Sequence, residues 1–164
     1  MRLRVAHQGD AYALWLWAND PDERWAAGNR PLIGWNEHRA WFAGQTGSPM
    51  WILWTADQQP VGCIRFALLA AGWCLSYVVA PEARRQGYGS ALVRCGAYRL
   101  VSSDRWHGEP VYADVRAGNV PSHTIFQRLG WTATTRDTHT RYTAAVRRIA
   151  EEGRRCTRRK TSRP

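Results

Sequence analysis

Residues 2–6 alternate polar and apolar side chains, the period of a half-buried strand, and Asp10 then offers an N-cap to an aromatic-rich helical stretch over 11–18. Asn19-Asp20-Pro21 stops that helix. A breaker-rich segment, 28–34, leads into a second helix over 36–44, with Trp41 and Phe42 toward the core and Glu37, His38 and Arg39 on its first turn. Two β-rich runs, 50–56 and 61–69, flank Asp57-Gln58-Gln59-Pro60 as a hairpin, and Ala70-Ala71-Gly72 turns into a third run, 73–79. Beyond Pro81 a Gly-rich turn opens a helix over 87–101. Residues 111–115 read as a buried strand, 121–129 as a helix stopped by Gly130, and 131–135 with 139–144 as a closing hairpin. The order β-α-α-β-β-β-α-β-α-β-β predicts seven strands, about four helices and one domain over 1–144, with no internal repeat.

Composition narrows the class. The chain has 164 residues, 45% of them hydrophobic, and ten Trp, so it can bury a core and is not a disordered polymer. No apolar run approaches about 18 residues, which argues against a membrane partner. The first residues, Met1-Arg2-Leu3-Arg4-Val5, hold no secretory signal pattern. Cys63, Cys74, Cys95 and Cys156 stand singly, without metal-ligand spacing, and read as reduced structural thiols of a cytoplasmic protein. The net charge of +10 is concentrated at the end of the chain: from Arg141 onward nine basic residues face two acids, Glu151 and Glu152. The segment 145–164 is therefore expected to begin as a helix and continue as a basic, partly disordered tail.

The most informative stretch is Leu75-Ser-Tyr-Val-Val-Ala-Pro-Glu-Ala-Arg-Arg-Gln-Gly-Tyr-Gly-Ser-Ala-Leu-Val93. A strand ends at Val79, a short loop carries Arg84 and Arg85, and Gly87 and Gly89 lead into a helix. Glycines let a ligand approach the backbone, and the first N–H groups of a helix point at whatever occupies its mouth, which makes a diphosphate-sized anion site. The dinucleotide fingerprint fails at Leu92 and the Walker loop fails for want of Gly-Lys-Ser/Thr. What remains is Arg84-x-x-Gly87-x-Gly89, which by itself also suits a purely structural helix entry with Arg84 and Arg85 in a solvated loop.

About 30 residues later comes Ala113-Asp-Val-Arg-Ala-Gly-Asn119-Val-Pro-Ser122-His-Thr-Ile-Phe126-Gln-Arg-Leu-Gly130-Trp131. Together the two segments resemble the GNAT superfamily of acyl-CoA-dependent N-acyltransferases, the first its pyrophosphate motif and the second its strand, N-x-x-S helix and Leu-Gly-aromatic ending. That resemblance implies an α/β (α+β) fold with a mixed, mostly antiparallel seven-stranded sheet whose fourth and fifth strands splay around the thioester arm of acetyl-CoA or another acyl-CoA. It also implies that Tyr77, Val78 and Val79 pair with the pantetheine arm. Arg84 and the loop Arg85, Gln86, Gly87, Tyr88, Gly89 and Ser90 would bind the pyrophosphate, and Asn119 and Phe126 would contact the cofactor from the later helix.

Amide formation from an amine and a thioester needs a base for the ammonium, a donor for the developing oxyanion and a proton for the departing sulfur. A main-chain N–H near Val79 serves as oxyanion donor in the resemblance. Asp114 stands where many relatives carry a carboxylate. It is a base candidate beside Tyr77, Ser76, Glu82 and a water chain, or simply a paired carboxylate. Relatives often carry a Tyr acid four residues past the Ser; Phe126 stands there instead, which leaves Ser122 or water as donor. No metal is required. His123, next to Ser122, reads more readily as a solvated residue than as a catalytic one.

Trp17-Ala-Asn19-Asp20-Pro21-x-x-Arg24 and Ile33-x-x-x-Glu37-His38-x-x-Trp41-Phe42 resemble the GNAT branch that acetylates nucleotide-linked amino sugars, including the pseudaminic acid pathway enzyme. Asn19, Asp20, Arg24, Glu37 and His38 thus become candidates for contacts to a small-molecule amine, against the alternative of capping and a solvated first turn. Seven of the ten Trp lie between Trp15 and Trp54. The Arg-rich tail opens a second reading, a tRNA-dependent GNAT-fold enzyme, and the Phe at 126 leaves room for a non-catalytic acyl-CoA-binding module. A monomer or homodimer suits either.

Overall fold

The computed structural model of the chain describes residues 1–28, 30–45 and 47–151. Seven strands form one sheet in the order β1-β2-β3-β4-β5-β7-β6: β1 Arg2–Val5, β2 Met50–Trp54, β3 Pro60–Leu69, β4 Gly72–Val79, β5 Val111–Arg116, β6 Thr132–Thr135 and β7 His139–Ala144. All neighbours are antiparallel except β4 and β5. Strands β2 and β3 are apolar on both faces because helices cover both sides, as their continuous hydrophobic runs demand.

On one face lie α4 (Tyr88–Val101) and α5 (Val120–Arg128). The stripe Leu92, Val93, Gly96, Ala97 and Leu100 of α4 is buried, and Gly96 permits its approach, since a Cβ there would sit 2.7 Å from Ile64 Cδ1 of β3. The opposite face carries α1 (Ala11–Ala18), α2 (Pro21–Ala26) and α3 (Trp35–Ala43). Sequence reasoning missed α2: Asn19-Asp20-Pro21 ends α1 but immediately restarts the chain, with Asp20 as N-cap accepting from the Asp22 N–H (3.1 Å) and Pro21 in the first turn. The helix count is accordingly above four.

Asp10 also differs from expectation. It makes no side-chain cap to α1; its carboxylate pairs with Arg4 (2.6 and 3.0 Å) and accepts from the His7 N–H in a capping box around the short 3-10 turn Gln8–Asp10. Cys63 and Cys74 are free thiols as expected, whereas Cys95, partly exposed on α4, is disulfide-bonded, against the expectation drawn from cysteines that stand singly without metal-ligand spacing. Helical structure resumes at 146 and carries Ile149 into the core beside the Arg148 guanidinium, which reaches the Leu129 carbonyl (3.5 Å). The rest of the basic tail, with Cys156, lies outside the described residues. Among the described residues no helix is long and apolar enough to cross a membrane.

Candidate functional site

The pairing of β4 with β5 consists of Trp73 with Val111 and Cys74 with Tyr112. From Leu75 onward β4 stays paired to β3 on its other edge, through Phe66–Leu75 up to Gly62–Val79, while its β5-facing edge leaves the ladder. The strands therefore splay over the stretch expected to receive a thioester arm. Tyr77 and Val79 face α4 and α5, where the position of a Gly89 Cβ lies 3.5 Å from the Tyr77 ring and 3.7 Å from Val79. Val78 lies on the opposite face, where α1 packs.

Past Val79 a 3-10 turn, Pro81–Ala83, gives way to a loop in which Arg85 has φ +60° and Gly87 φ +83°. The left-handed Gly87 is the N-cap of α4 and offers it no side-chain cap, so the first N–H groups of a 14-residue helix are left for a ligand. Nothing lies within 4 Å of the place a Gly87 Cβ would take, so the mouth is open. Gln86 is exposed and donates to the Glu82 carbonyl (3.3 Å), Tyr88 packs against the core, Ser90 is half-buried, and Arg85 is exposed at the rim. Uncapped amides, an open rim and an exposed guanidinium suit the diphosphate of coenzyme A.

Arg84 faces elsewhere. Its guanidinium holds Asp20 (2.5 Å) and Asp22 (2.7 Å), with Glu23 at 3.7 Å, and thereby ties the loop to α2. Asp20 is thus occupied twice, by the cap and by Arg84. Asn19 brackets Ile33, accepting from its N–H (2.7 Å) and donating to its carbonyl (3.0 Å), and Arg24 reaches the Pro31 carbonyl (3.4 Å); both residues fix the α2–α3 connection. Glu37 is exposed on α3.

His38 corrects the expectation. It is 3% exposed, between Trp35, Trp41 and Phe42, and burial pulls its pKa below the ordinary value, with a hydrogen bond to the Ala11 backbone opposing. A helical period of 3.6 brings His38 inward with Phe42 and turns Trp41 outward, where Arg65 lies over its ring at 5.4 Å, so His38 has no surface to offer an acceptor. Phe126 is likewise corrected. At 1% exposure it is sealed against Trp131 and Tyr142, ring centroids 5.0 and 5.1 Å away, and presents nothing to a cofactor.

Tyr77 occupies the space beside Phe126, ring centroids 6.3 Å apart, and its hydroxyl shares a 2.9 Å hydrogen bond with Ser122 Oγ. A phenol from β4 thus stands next to the serine of α5. Burial pushes the Tyr77 pKa up to about 12, so the hydroxyl keeps its proton at any working pH. Asn119 caps α5, accepting from the Ser122 N–H (3.2 Å). His123 is held between Tyr142 Oη (2.8 Å) and the Arg116 carbonyl (2.9 Å), a staple between α5 and the sheet.

Asp114 is exposed and lies opposite Arg141 in the β5–β7 register, which grips it with two bonds of 2.7 and 2.8 Å. That grip holds the carboxyl below the usual carboxylate range and makes it a weak base. Sequence reasoning passed over Glu23, which is 28% exposed beside Arg84; a Glu in the first turn of a helix reads as a dipole partner, and only tertiary structure reveals its environment.

This architecture, a sheet splayed next to an uncapped helix mouth, defines a class. The model of the "Acetyltransferase (GNAT) family" matches residues 10–131, and the chain belongs to that family. It is a GNAT acetyltransferase, with acetyl-CoA as its acyl donor. Among solved structures, spermidine N-acetyltransferase from Vibrio cholerae in complex with CoA and spermine superposes with a TM-score of 0.77 at 13% identity, over 90% of this chain and 96% of that one. Ribosomal-protein-alanine N-acetyltransferase from Brucella melitensis gives 0.70 at 20% identity, over 87% and 97%. An aminoglycoside acetyltransferase in complex with coenzyme A gives 0.72 at 17%, over 93% and 98%. A comparison with curated protein sequences returns no match.

Proposed function

We propose that the chain acetylates a primary amine of a small or nucleotide-linked metabolite by direct attack while donor and acceptor are bound together. The observation that carries this reading is the early end of the β4–β5 ladder at Cys74 and Tyr112, on the strand whose far end leads through a short loop to the uncapped mouth of α4. Acetyl-CoA supplies the activated carbonyl and a thiol leaving group. In this reading the amides of Tyr88, Gly89 and Ser90 hold the diphosphate beside Arg85, and the free edge of β4 around Val78 and Val79 receives the arm, with one of its N–H groups facing the developing oxyanion. Tyr77 and Ser122 form the donor pair nearest the splay, and Phe126 supports them from behind.

The resemblance of 17–42 to enzymes acting on nucleotide-linked amino sugars supports an acceptor approaching between α2 and the sheet. The named activities of the structural neighbours, on spermidine and on aminoglycosides, support an amine in general. One acyltransferase domain over 1–144 goes with this reading. Calorimetric titration tests it: wild type is expected to bind acetyl-CoA with one site, and Gly87→Trp, which fills the open mouth, to bind it much more weakly. Absence of binding in wild type, or equal binding in both, refutes it.

A further inference from the structure

Helix α2 crosses the splay from one strand end to the other. At its start Asp20 and Asp22 are held by Arg84, in the loop that follows β4. Toward its end Trp25 packs on Gly118, where a Cβ would lie 2.9 Å from the indole, and Gly28 abuts the Arg116 side chain at the end of β5. Between these anchors sits Glu23, its side chain 28% exposed and its carboxylate 3.7 Å from the Arg84 guanidinium. A Glu at this position often folds back to cap the helix's first N–H, but that of Asp20 already donates to the Trp17 carbonyl (3.2 Å), so the carboxylate of Glu23 has no capping duty. Its charge adds to the rise of the Tyr77 pKa.

We propose that Glu23 is the base that removes a proton from the acceptor ammonium, a role that rests on the acetyltransferase reading above. Three elements then converge on the gap: Glu23 from α2, Tyr77 from β4 and Ser122 from α5. One ammonium proton passes to the Glu23 carboxylate and on to solvent. The freed nitrogen lone pair forms the C–N bond as the C–S bond breaks, and a second nitrogen proton ends on sulfur by way of the Tyr77–Ser122 pair. Atoms and charge balance: an ammonium and a thioester become an amide, a thiol and one released proton.

The charged and titratable groups around Glu23 are Asp20, Asp22 and Arg24 on α2, Arg84 from the loop after β4, Tyr77 from β4 and Arg116 at the end of β5. Burial raises its pKa to about 7, with Asp20 and Asp22 adding to the rise and Arg84 and Arg24 opposing it. Near neutral pH such a carboxylate accepts a proton readily while about half of it is ionised.

The test uses the full chain and Glu23→Gln. Carboxyl carbon NMR on wild type is expected to place the Glu23 midpoint near 7, and Arg84→Ala to move it higher. With spermidine as the amine probe, Glu23→Gln is expected to lower kcat on the order of a hundredfold and to abolish the acidic limb of kcat/KM. Acetyl-CoA affinity by calorimetry stays unchanged. With hydroxylamine, which is already unprotonated at neutral pH, the variant is expected to approach the wild-type rate; a merely structural defect would slow both nucleophiles. An ordinary carboxylate midpoint for Glu23, or a variant that keeps its rate and acidic limb, overturns the proposal while leaving the acetyltransferase reading intact. Loss of acetyl-CoA binding in wild type overturns that reading instead.

Discussion

A phenol that shares a short hydrogen bond with Ser122 and keeps its proton to about pH 12 has more to do than fill space. Tyr77→Phe removes only the hydroxyl, and steady-state kinetics are expected to show kcat falling on the order of a hundredfold with the acetyl-CoA KM little changed. Asp114→Asn is expected to leave the rate and pH profile unchanged. Because the Asp114–Arg141 pair is partly exposed, its loss costs about 1 kcal/mol or less in urea unfolding. The sign follows from a depressed carboxyl pKa: the stabilisation is present above the unfolded carboxylate value and fades as pH falls through the folded one. At this scale the sequence was an uneven guide. It brought Tyr77 and Ser122 into one candidate list from 45 residues apart, because both sit in recognisable motifs. It misjudged His38 and Phe126, since which side of a helix faces a second layer depends on the partner element, and it passed over Glu23, whose desolvation is supplied by distant residues.

Strands and helices were read with little error wherever turn chemistry punctuates the chain. The expected helix over 87–101 is Tyr88–Val101, and the closing hairpin is Thr132–Thr135 with His139–Ala144. Helix α2 escaped because six residues are too few to display a period, and its Pro reads first as a stop. Two glycines test what holds the elements together. A Cβ at Gly62 would lie 2.6 Å from the Val78 carbonyl oxygen, which is backbone and cannot turn away, so Gly62→Ala is expected to cost about 1–3 kcal/mol in denaturant unfolding. Gly87→Val puts a branched side chain at φ +83°; thermal unfolding is expected to register roughly 1–2 kcal/mol, together with weaker acetyl-CoA binding.

Taken whole, the sheet is two half-sheets, β1 to β4 and β5 to β7, joined by a parallel contact of two residue pairs and spanned by α2. The resemblance implied that division; hydrophobic periodicity alone cannot tell a paired strand from a splayed one. The raised pKa of Glu23 gives the molecule a pH dependence opposite to that of Asp114. Its stabilising protonated form is complete below the unfolded value and is lost as pH rises to about 7, so Glu23→Gln is expected to gain stability over wild type at pH 8, measured by thermal unfolding. A ligand that occupies the folded gap also stabilises by mass action, about 2.7 kcal/mol at a hundredfold excess over its Kd, so acetyl-CoA is expected to raise Tm.

The free edge of β4 has one more consequence, for the choice of donor. An edge of unused peptide groups can greet a guest built with amides of its own much as it would greet another strand, and a bare thioester offers it nothing to grip. Short acetyl thioesters without the two amide links of the pantetheine arm are therefore expected to be poor donors even at saturating concentration.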